Sequence, residues 1–514
     1  MEPRSAGNLS RVKKTKACPV CLRNGRLTCR RTRTGEPCQK SGSSACLDVL
    51  KRARAAFRAG RMAPESFRLA QLEALERMLM EHESDFVDAL DRDLRKPRFE
   101  TVMSELMVVK NEALHAASSL KKWMQPQRME RSWATAFDDC MVVSEPLGVV
   151  LIVGNWTSPV QLCLVPLVGA IAAGNCVIIC PSEVCSHTAE LLHRLLPAYL
   201  DNECYHSVLA AGHEVPEIVD LKFDHVFFSG TREDGLKAAQ AAARTLARTT
   251  LLLSGKNPCY VDRQCDINTT ARRISWARFQ NAGQSAVAPD YVLCHADTHE
   301  CLVQALRCAL QQFYGSEPRE SKSFGRQVSE ENFSKVREAL LRSGKVAVGG
   351  QVNEAEKYIA PTVLVDVVES DPIMQQDVFG PVLPILSVQS ADEAVAFINS
   401  RENPLCVYVY SSNSKVISKI MAETCSGSFC SNDSALQSVM VGLPFGGVGA
   451  SGLGSYHGRY SFDAFSHKKS CLLRSTCIEC VTYLRYPPYE DRNLSLATLA
   501  SSLSLRSQGW CSIL

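Results

Sequence analysis

The sequence predicts an α/β protein built on a doubly wound parallel sheet. Short apolar or β-branched runs alternate with helical stretches from about Val142 onward, and this alternation is typical of parallel sheets. The chain has 514 residues, and single hydrophobic cores stop growing at about 250–300 residues, so two or more domains are expected. The strands predicted in the first half are residues 148–154, 175–180, 205–210, 225–230 and 249–255.

Amphipathic helices are expected before the first clear strand. Apolar residues recur at helical spacing between residues 47 and 125, in two sets: Leu47, Leu50, Ala53 and Phe57, then Leu69, Leu72, Leu75 and Leu79. The apolar run Leu162–Cys180 is about long enough to span a membrane, but Pro166 and Gly174 interrupt it. We therefore interpret that run as a buried helix followed by a buried strand.

A second α/β stretch is predicted between about residues 255 and 429. A helix is expected over residues 299–314, and strands are expected at 291–296, 345–350, 360–367 and 405–410. Residues 430–469 are rich in Gly and Ser.

Composition excludes several classes of protein. Hydrophobic residues make up 46% and charged residues 22%, close to the averages of soluble globular chains. The net charge of +3 indicates no general affinity for nucleic acid. Twenty-three cysteines without an N-terminal apolar signal segment indicate reduced thiols and a cytoplasmic protein.

Residues 1–44 differ from the rest of the chain. They hold 11 basic and 2 acidic side chains and show no helical or strand period, so a disordered basic extension is expected. Four thiols could bind zinc, but only the first two have C-x-x-C spacing. They are Cys18, Cys21, Cys29 and Cys38. Zinc or nucleic-acid binding by this extension is a weaker alternative hypothesis.

Seven phrases occur in an order that resembles the NAD(P)-dependent aldehyde dehydrogenases, and more narrowly the B branch of family 3. They lie at residues 145–156, 165–183, 227–231, 253–262, 279–294, 377–385 and 443–458. The resemblance implies an aldehyde dehydrogenase fold with a Rossmann-like cofactor domain, an α/β catalytic domain and a small oligomerisation arm. Its implied boundaries are 45–254 for the cofactor domain with part of the arm, 255–429 for the catalytic-type domain, 430–470 for the return to the cofactor domain and arm, and 471–514 for a C-terminal tail.

The family's catalytic positions carry other residues here. In the family a cysteine thiolate attacks the aldehyde, an Asn amide holds the oxyanion, and a glutamate activates water. Matching the motifs residue by residue puts Ala286 at the nucleophile, Leu252 at the base and Thr157 at the Asn. Loss of a nucleophile alone can cost about 10⁴–10⁶ in rate. Neighbouring Ser285 or Cys294 could replace the nucleophile only as a weaker alternative.

The resemblance also assigns a site for NAD or NADP, with binding expected to be weakened or lost. Glu183 matches the adenosine-ribose carboxylate, while Cys180 replaces the lysine that precedes it. A glycine turn at a helix N-terminus admits a pyrophosphate, and the matching residues are Ser229, Gly230, Thr231 and Gly235. Asp377 and Phe379 match the phrase that holds the nicotinamide ribose. Glu233 and Asp234 are expected to repel a diphosphate.

The last four residues predict a lipid anchor. Cys511-Ser512-Ile513-Leu514 fits C-a-a-X, and a terminal Leu favours geranylgeranyl transfer to Cys511. The B branch of family 3 commonly ends in such a box. Because one prenyl chain binds membranes only reversibly, a second signal is expected. The expected location is the cytoplasmic face of a plasma membrane or a lipid droplet.

These observations lead to one main hypothesis and one principal alternative. The main hypothesis is a membrane-tethered pseudoenzyme that acts by dimerisation, with itself or an active relative, or by binding an aldehyde or lipid ligand. The alternative is an active NAD(P)-dependent enzyme that oxidises medium- and long-chain aldehydes to carboxylic acids. The ligand itself is not predicted.

Overall fold

The computed structural model describes residues 42–129, 138–476 and 479–501. Helices dominate the first of these ranges. Its elements are α1 (Gly42–Arg58), α2 (Glu65–Glu81), α3 (Glu83–Leu94), α4 (Arg98–Glu100), a π-helical segment (Thr101–Leu106), α5 (Met107–Met124) and β1 (Gln127–Arg128).

The expected N-terminal helices are present, with two corrections in α1. The helix begins at Gly42, inside the segment 1–44, where small polar residues showed no helical period. Leu47 is 40% exposed, whereas Cys46 is fully buried together with Leu50 and Ala53. A thiol therefore takes the position in the core that the apolar spacing assigned to Leu47, as free cysteines commonly do.

Strands and helices alternate over the next range of the chain. The elements are β2 (Asp139–Pro146), β3 (Val149–Val153), α6 (Gln161–Ala173), β4 (Cys176–Cys180), α7 (Ser186–Tyr199), β5 (Tyr205–Ser207), α8 (Val215–Val219), β6 (His225–Gly230), α9 (Arg232–Arg244) and β7 (Arg248–Leu253).

The apolar run Leu162–Cys180 is a buried helix and a buried strand, as predicted. Every residue of α6 from Leu162 to Ala173 is buried. Pro166 lies inside the helix, so only Gly174, with φ of 90°, ends it. In the described part of the chain no helix is long and apolar enough to cross a membrane.

The second α/β stretch follows β7. Its elements are β8 (Pro258–Val261), α10 (Ile267–Phe279), β9 (Tyr291–His295), α11 (His299–Tyr314), α12 (Glu330–Leu341), β10 (Lys345–Val348), β11 (Val352–Asn353), β12 (Tyr358–Ile359), β13 (Thr362–Val365), α13 (Pro372–Gln375), β14 (Val382–Val388), α14 (Ala391–Asn399), β15 (Cys406–Tyr410), α15 (Ser414–Glu423) and β16 (Ser428–Ser431). Helix α11 has the predicted bounds, while β8, β14 and β16 were not predicted.

The described chain ends with short elements. They are β17 (Gly452–Leu453), α16 (Gly458–Ala464), β18 (Ser466–Leu473), α17 (Glu479–Thr482) and α18 (Asp491–Ser501).

The first large sheet has six strands in the order β17-β7-β6-β3-β4-β5. All neighbours are parallel except β17, which runs antiparallel to β7. The chain builds β3, β4 and β5 in one direction and then crosses to β6 and β7 in the other. A ligand crevice is expected at the carboxyl ends of β3 and β6, where the winding reverses. The predicted doubly wound parallel sheet is confirmed.

The second large sheet has seven strands in the order β10-β13-β14-β9-β8-β15-β16. Only β10 is antiparallel to its neighbour. A smaller sheet has the order β1-β2-β18, in which β18 pairs with β2 over eight residues, from Ser466 opposite Pro146 to Leu473 opposite Asp139. Strands β11 and β12 form a separate ribbon.

The side chain of Asn175 forms hydrogen bonds with the backbone just before β3, the first strand of the first sheet along the chain. Its Oδ1 accepts from the backbone N–H groups of Leu147 and Gly148 at 2.8 and 3.0 Å. Its Nδ2 donates to Ala170 O at 3.3 Å and to Phe465 O at 3.0 Å. The fully buried amide therefore joins β3, α6, β4 and the start of β18.

Replacement Asn175→Ala is expected to lower the free energy of unfolding by about 2–4 kcal/mol, because it leaves buried backbone groups without partners. Urea unfolding followed by circular dichroism measures the change. The matched control is Asn202→Ala, whose exposed amide makes one hydrogen bond to Pro197 O. Equal destabilisation by the two replacements would contradict the role given to Asn175.

Candidate active site and cofactor cleft

A cavity of about 1430 Å³ opens at the carboxyl ends of β3, β4 and β6, where the sheet winding predicts a crevice. Segments that follow strands of the second sheet close its other side. The wall includes most of the cofactor positions identified in the sequence: Cys180, Glu183, Ser229, Gly230, Thr231, Asp377 and Phe379. The fold therefore brings together residues that are up to 199 positions apart in the chain.

Thr231 begins the helix that follows the glycine turn. Its Oγ accepts from the backbone N–H of Asp234 at 3.2 Å and donates to the Asp234 carboxylate at 2.8 Å. Gly235 lies one turn into α9 and packs on Leu253, where an added Cβ would come within 2.4 Å of Leu253 Cδ2. Gly235 thus contributes close packing of helix on strand rather than a part of the cavity wall.

The charged side chains of the cavity wall are largely paired with one another. Four cations each contact a carboxylate of the same wall: Arg232 with Glu402 at 3.1 Å, Lys237 with Asp234 at 3.1 Å, Arg244 with Asp220 at 2.9 Å, and Arg401 with Glu369 at 3.2 Å. Asp234, predicted to repel a diphosphate, therefore has a lysine beside it. The first three pairs are exposed and individually weak, so an anion can compete for their cations, whereas the Arg401 side chain is only 16% exposed.

The two residues matched to the adenosine-ribose site, Cys180 and Glu183, differ in their surroundings. Burial raises the pKa of the Cys180 thiol to about 12, so this side chain is neutral and supplies no cation. Glu183 is exposed, and its carboxylate accepts from the backbone N–H of Gly212 at 2.6 Å. The predicted carboxylate is present at the cavity while the cation that accompanies it in the family is missing.

The loop with Asp377 and Phe379 is held on both sides. Ser254 Oγ donates to the Asp377 carboxylate at 2.5 Å. The ring of Phe379 meets that of Trp156 edge to face, with centroids 5.7 Å apart. Arg278 is 1% exposed and donates to Val378 O at 3.1 Å and to Gly380 O.

Ala286 lies in a loop whose backbone is tied to the second sheet. Asn257 Nδ2 donates to Ala286 O at 2.8 Å and to Ala288 O at 3.0 Å. Its Oδ1 accepts from the backbone N–H of Cys406 at 2.9 Å. The loop conformation therefore depends on a neighbouring amide and not on the side chain at position 286.

The other two catalytic positions are buried. Leu252 is 5% exposed and lies on β7 between Ser229 of β6 and Gly452 of β17. Thr157 is 3% exposed, and its carbonyl accepts from Asn281 Nδ2 at 3.1 Å. None of Ala286, Leu252 and Thr157 belongs to the cavity wall that the cofactor positions form.

Neither neighbouring nucleophile belongs to the cavity wall. Ser285 Oγ accepts from the backbone N–H of Val287 at 3.4 Å. Cys294 is fully buried in β9, and burial raises the pKa of its thiol to about 12, so it carries no thiolate at neutral pH.

The sequence reasoning missed the residues that support these loops. Arg278, Asn257, Asn281 and Lys256 lie in or beside the family phrases, yet spacing alone did not show what they contact. Lys256 is the only one of them in the cavity wall. The sequence feature that could have indicated their role is that they are polar residues next to apolar runs predicted to be buried.

Several predicted sites lie outside the described residues. These are the candidate zinc ligands Cys18, Cys21, Cys29 and Cys38 and the lipidation site Cys511. Among the residues that are described, no cluster of three or more His, Cys, Asp or Glu side chains is arranged to hold a metal ion.

Comparison with known proteins agrees with this architecture. The model of the aldehyde dehydrogenase family matches residues 33–471. Human aldehyde dehydrogenase family 3 member B1 is 47% identical over 453 residues, which cover 88% of this chain and 97% of the human one. The dog (Canis lupus familiaris) protein named aldehyde dehydrogenase, dimeric NADP-preferring, is 44% identical over 441 residues, which cover 86% of this chain and 97% of the dog protein.

A solved structure supports the same assignment. The substrate-bound state of Staphylococcus aureus AldH superimposes with a TM-score of 0.86 at 35% identity, covering 88% of this chain and 99% of that one. The predicted aldehyde dehydrogenase fold and the resemblance to the B branch of family 3 are thus confirmed. Matched in sequence and in fold over most of its length, this chain belongs to the aldehyde dehydrogenase family.

Proposed function

We propose that this chain is a catalytically impaired member of the family that acts through binding. The observation that carries the proposal is the set of side chains at the three matched catalytic positions. Ala286 offers a methyl group, Leu252 a buried isobutyl group and Thr157 a buried hydroxyl. A thioester route needs a thiolate and a base, and neither side chain at 286 or 252 can supply them.

The support for impaired chemistry extends to the surroundings of these positions. Ser285 is turned to its own backbone, and the Cys294 thiol is buried and protonated. Meanwhile the supports of the loop, such as Asn257, remain in place. The contacts that fix the loop are present, while the reacting groups at positions 286 and 252 are replaced. This combination favours a role in binding ligands or partners.

The cleft residues fit NAD or NADP in part. Glu183 and Asp377 would hold the two riboses, and the turn Ser229-Gly230-Thr231 would face the pyrophosphate at the start of α9. Cys180 does not fit, because a neutral thiol replaces the family's lysine. When bound, the nicotinamide would supply a hydride acceptor. Binding that is weaker than in active relatives is the outcome we propose.

The alternative function is that of the parent class, oxidation of medium- and long-chain aldehydes with NAD(P)⁺. The family membership and the name of the dog relative favour it. It requires a nucleophile other than residue 286, and no such group has been identified among the described residues around that position.

We also propose that the chain forms a homodimer or a heterodimer with an active relative. Strand β18 pairs on one side with β2 in the small sheet β1-β2-β18, and no strand among the described residues pairs with its outer side. Its Leu472 and Leu473 are 57% and 59% exposed. An exposed strand edge with apolar side chains favours pairing with a second chain, and the dog relative is named as dimeric.

Turnover separates the two functions. Purified full-length chain is expected to form no NAD(P)H from a long-chain aldehyde, because it lacks the thiolate and the base. The double variant Ala286→Cys with Leu252→Glu is expected to restore measurable NAD(P)H formation, read by absorbance. Thermal unfolding of both proteins checks that a carboxylate at the buried position 252 leaves the fold intact. Turnover by the unmodified chain would overturn the pseudoenzyme proposal.

Replacement Cys180→Lys is expected to tighten NADPH binding at least tenfold, because it returns a cation beside the Glu183 carboxylate at the cavity. Titration of NADPH fluorescence measures the dissociation constant. Cys425→Lys is the matched control, since Cys425 is exposed and lies outside the cavity wall. Equal effects of both replacements would show that only net charge matters.

We propose membrane attachment through a prenyl chain on Cys511, with location on the plasma membrane or lipid droplets. Cys511→Ser is expected to move the protein from the membrane fraction to the soluble fraction and to abolish incorporation of a geranylgeranyl label. Cys425→Ser serves as the control for loss of an exposed thiol. Unchanged fractionation of the Cys511 variant would contradict the anchor.

A further inference from the structure

Lys256, named above among the residues that support the loops, also places an amine in the wall of the cleft. It follows β7 and Ser254, and its Nζ donates to Gln376 O at 2.6 Å. Ser254, Asp377 and Phe379 line the same part of the cavity. Lys256 is half-buried and is itself part of the cavity wall.

The surroundings of Lys256 lower the pKa of its side chain. Burial lowers the pKa of its ammonium to about 8, from the 10.5 of an exposed lysine. Two carboxylates face it, Asp290 and Asp377, and two guanidinium groups, Arg278 and Arg401, oppose their effect. Because these charges act in opposite directions, loss of hydration decides the shift.

A pKa of about 8 changes the chemistry available at neutral pH. About a fifth of the molecules would hold an uncharged Lys256 amine at pH 7.4, against about one in a thousand for an ordinary lysine. An uncharged, desolvated lysine amine is the group that proteins use to attack carbonyl carbons. The thiol of the same wall, Cys180, has its pKa raised to about 12 and is protonated.

The cavity also has room for a carbonyl compound with an apolar chain. Its volume of about 1430 Å³ exceeds that of common small-molecule pockets. Apolar side chains lie in the same wall as Lys256, among them Trp156, Val328, Met374 and Phe379. An aldehyde bound along these groups would bring its carbonyl to an amine within the same cavity.

We propose that Lys256 forms a reversible imine with aldehydes that enter the cleft. The inference rests on the proposed function, in which the cleft holds aldehydes without oxidising them. The Nζ lone pair attacks the carbonyl carbon to form a C–N bond, and the carbonyl oxygen becomes the hydroxyl of a carbinolamine. That oxygen then leaves as water with the two protons that the amine gives up, and a C=N bond forms. Amine and aldehyde thus yield imine and water with no change in oxidation state.

Reductive trapping tests the inference. The full-length chain is incubated with octanal and sodium cyanoborohydride, which reduces an imine to a stable secondary amine. The adduct is counted by intact mass and located by peptide mapping. At pH 7.4 the expected result is one octyl group per chain, on Lys256, formed at least tenfold faster than on any other lysine.

The variant Lys256→Arg keeps a cation and a hydrogen-bond donor but cannot form an imine. It is expected to lose the fast adduct, whereas Lys335→Arg, at another lysine of the same cavity wall, is expected to keep it. Thermal unfolding of the variants verifies that the fold is retained. If Lys256→Arg fails to fold, adduct mapping on the unmodified chain still decides the question.

The pH dependence gives a second readout. Because the pKa of Lys256 is lowered, its labelling is expected to rise to half of its maximum near pH 8, while labelling of exposed lysines continues to rise above pH 10. Labelling spread evenly over surface lysines, or unchanged in Lys256→Arg, would overturn the imine. NAD(P)H formation, measured in parallel samples that contain octanal and NAD(P)⁺ but no cyanoborohydride, reports separately on the proposed loss of aldehyde oxidation.

Discussion

The buried guanidinium of Arg278 joins the two loops on which the candidate site is built. It donates to Pro289 O and to the Asp290 carboxylate, each at 3.0 Å, on the side of the loop that carries Ala286. On the other side it donates to two carbonyls that flank Phe379. Burying a cation is costly unless its donors are satisfied, and the four acceptors of its two terminal nitrogens offset much of that cost. The buried Nε has no hydrogen-bond partner among the described residues. Loss of Arg278 would therefore release both loops at once.

The fold in this region does not depend on the side chains at the matched catalytic positions. The loop around Ala286 is fixed by contacts to its backbone, from Asn257 and through Gln284, whose side chain reaches the backbone of Arg326 and Val328. A side chain that acts on a substrate contributes little to such contacts. Alanine at 286 and leucine at 252 are thus compatible with an intact scaffold, and the buried Leu252 adds apolar contact where a carboxylate would need partners.

The cleft has the glycine turn and the carboxylates that the family resemblance implies, but it lacks one of the implied cations. Its glycine turn and its two carboxylates, Glu183 and Asp377, remain, while most of its cations are paired within the wall and Cys180 adds none. The amine of Lys256 is an exception among these cations, because it donates to a carbonyl and no carboxylate of the described residues lies within ion-pairing distance. These features are the basis of our proposals that the cleft binds a dinucleotide weakly and that Lys256 reacts with carbonyl ligands.

The local sequence determined much of the secondary structure, because strands buried on both faces read as continuous apolar runs. Strands β3, β4, β6 and β9 and helix α11 were predicted nearly to the residue. Strand β14 was missed because Pro384 interrupts its run, and β8 because it is only four residues long. Both are stabilised by parallel neighbours distant in the chain, β9 among them, which a local pattern does not contain.

For the site, the sequence by itself determined the family, the residues at the matched positions and therefore the absence of a thiol and a carboxylate at 286 and 252. The tertiary structure decided which of these residues share a cavity, which cations are paired, and that Lys256 is desolvated beside that cavity. The physical reason is that residue identity limits the available chemistry, whereas burial and charge pairing depend on groups that folding brings from distant parts of the chain.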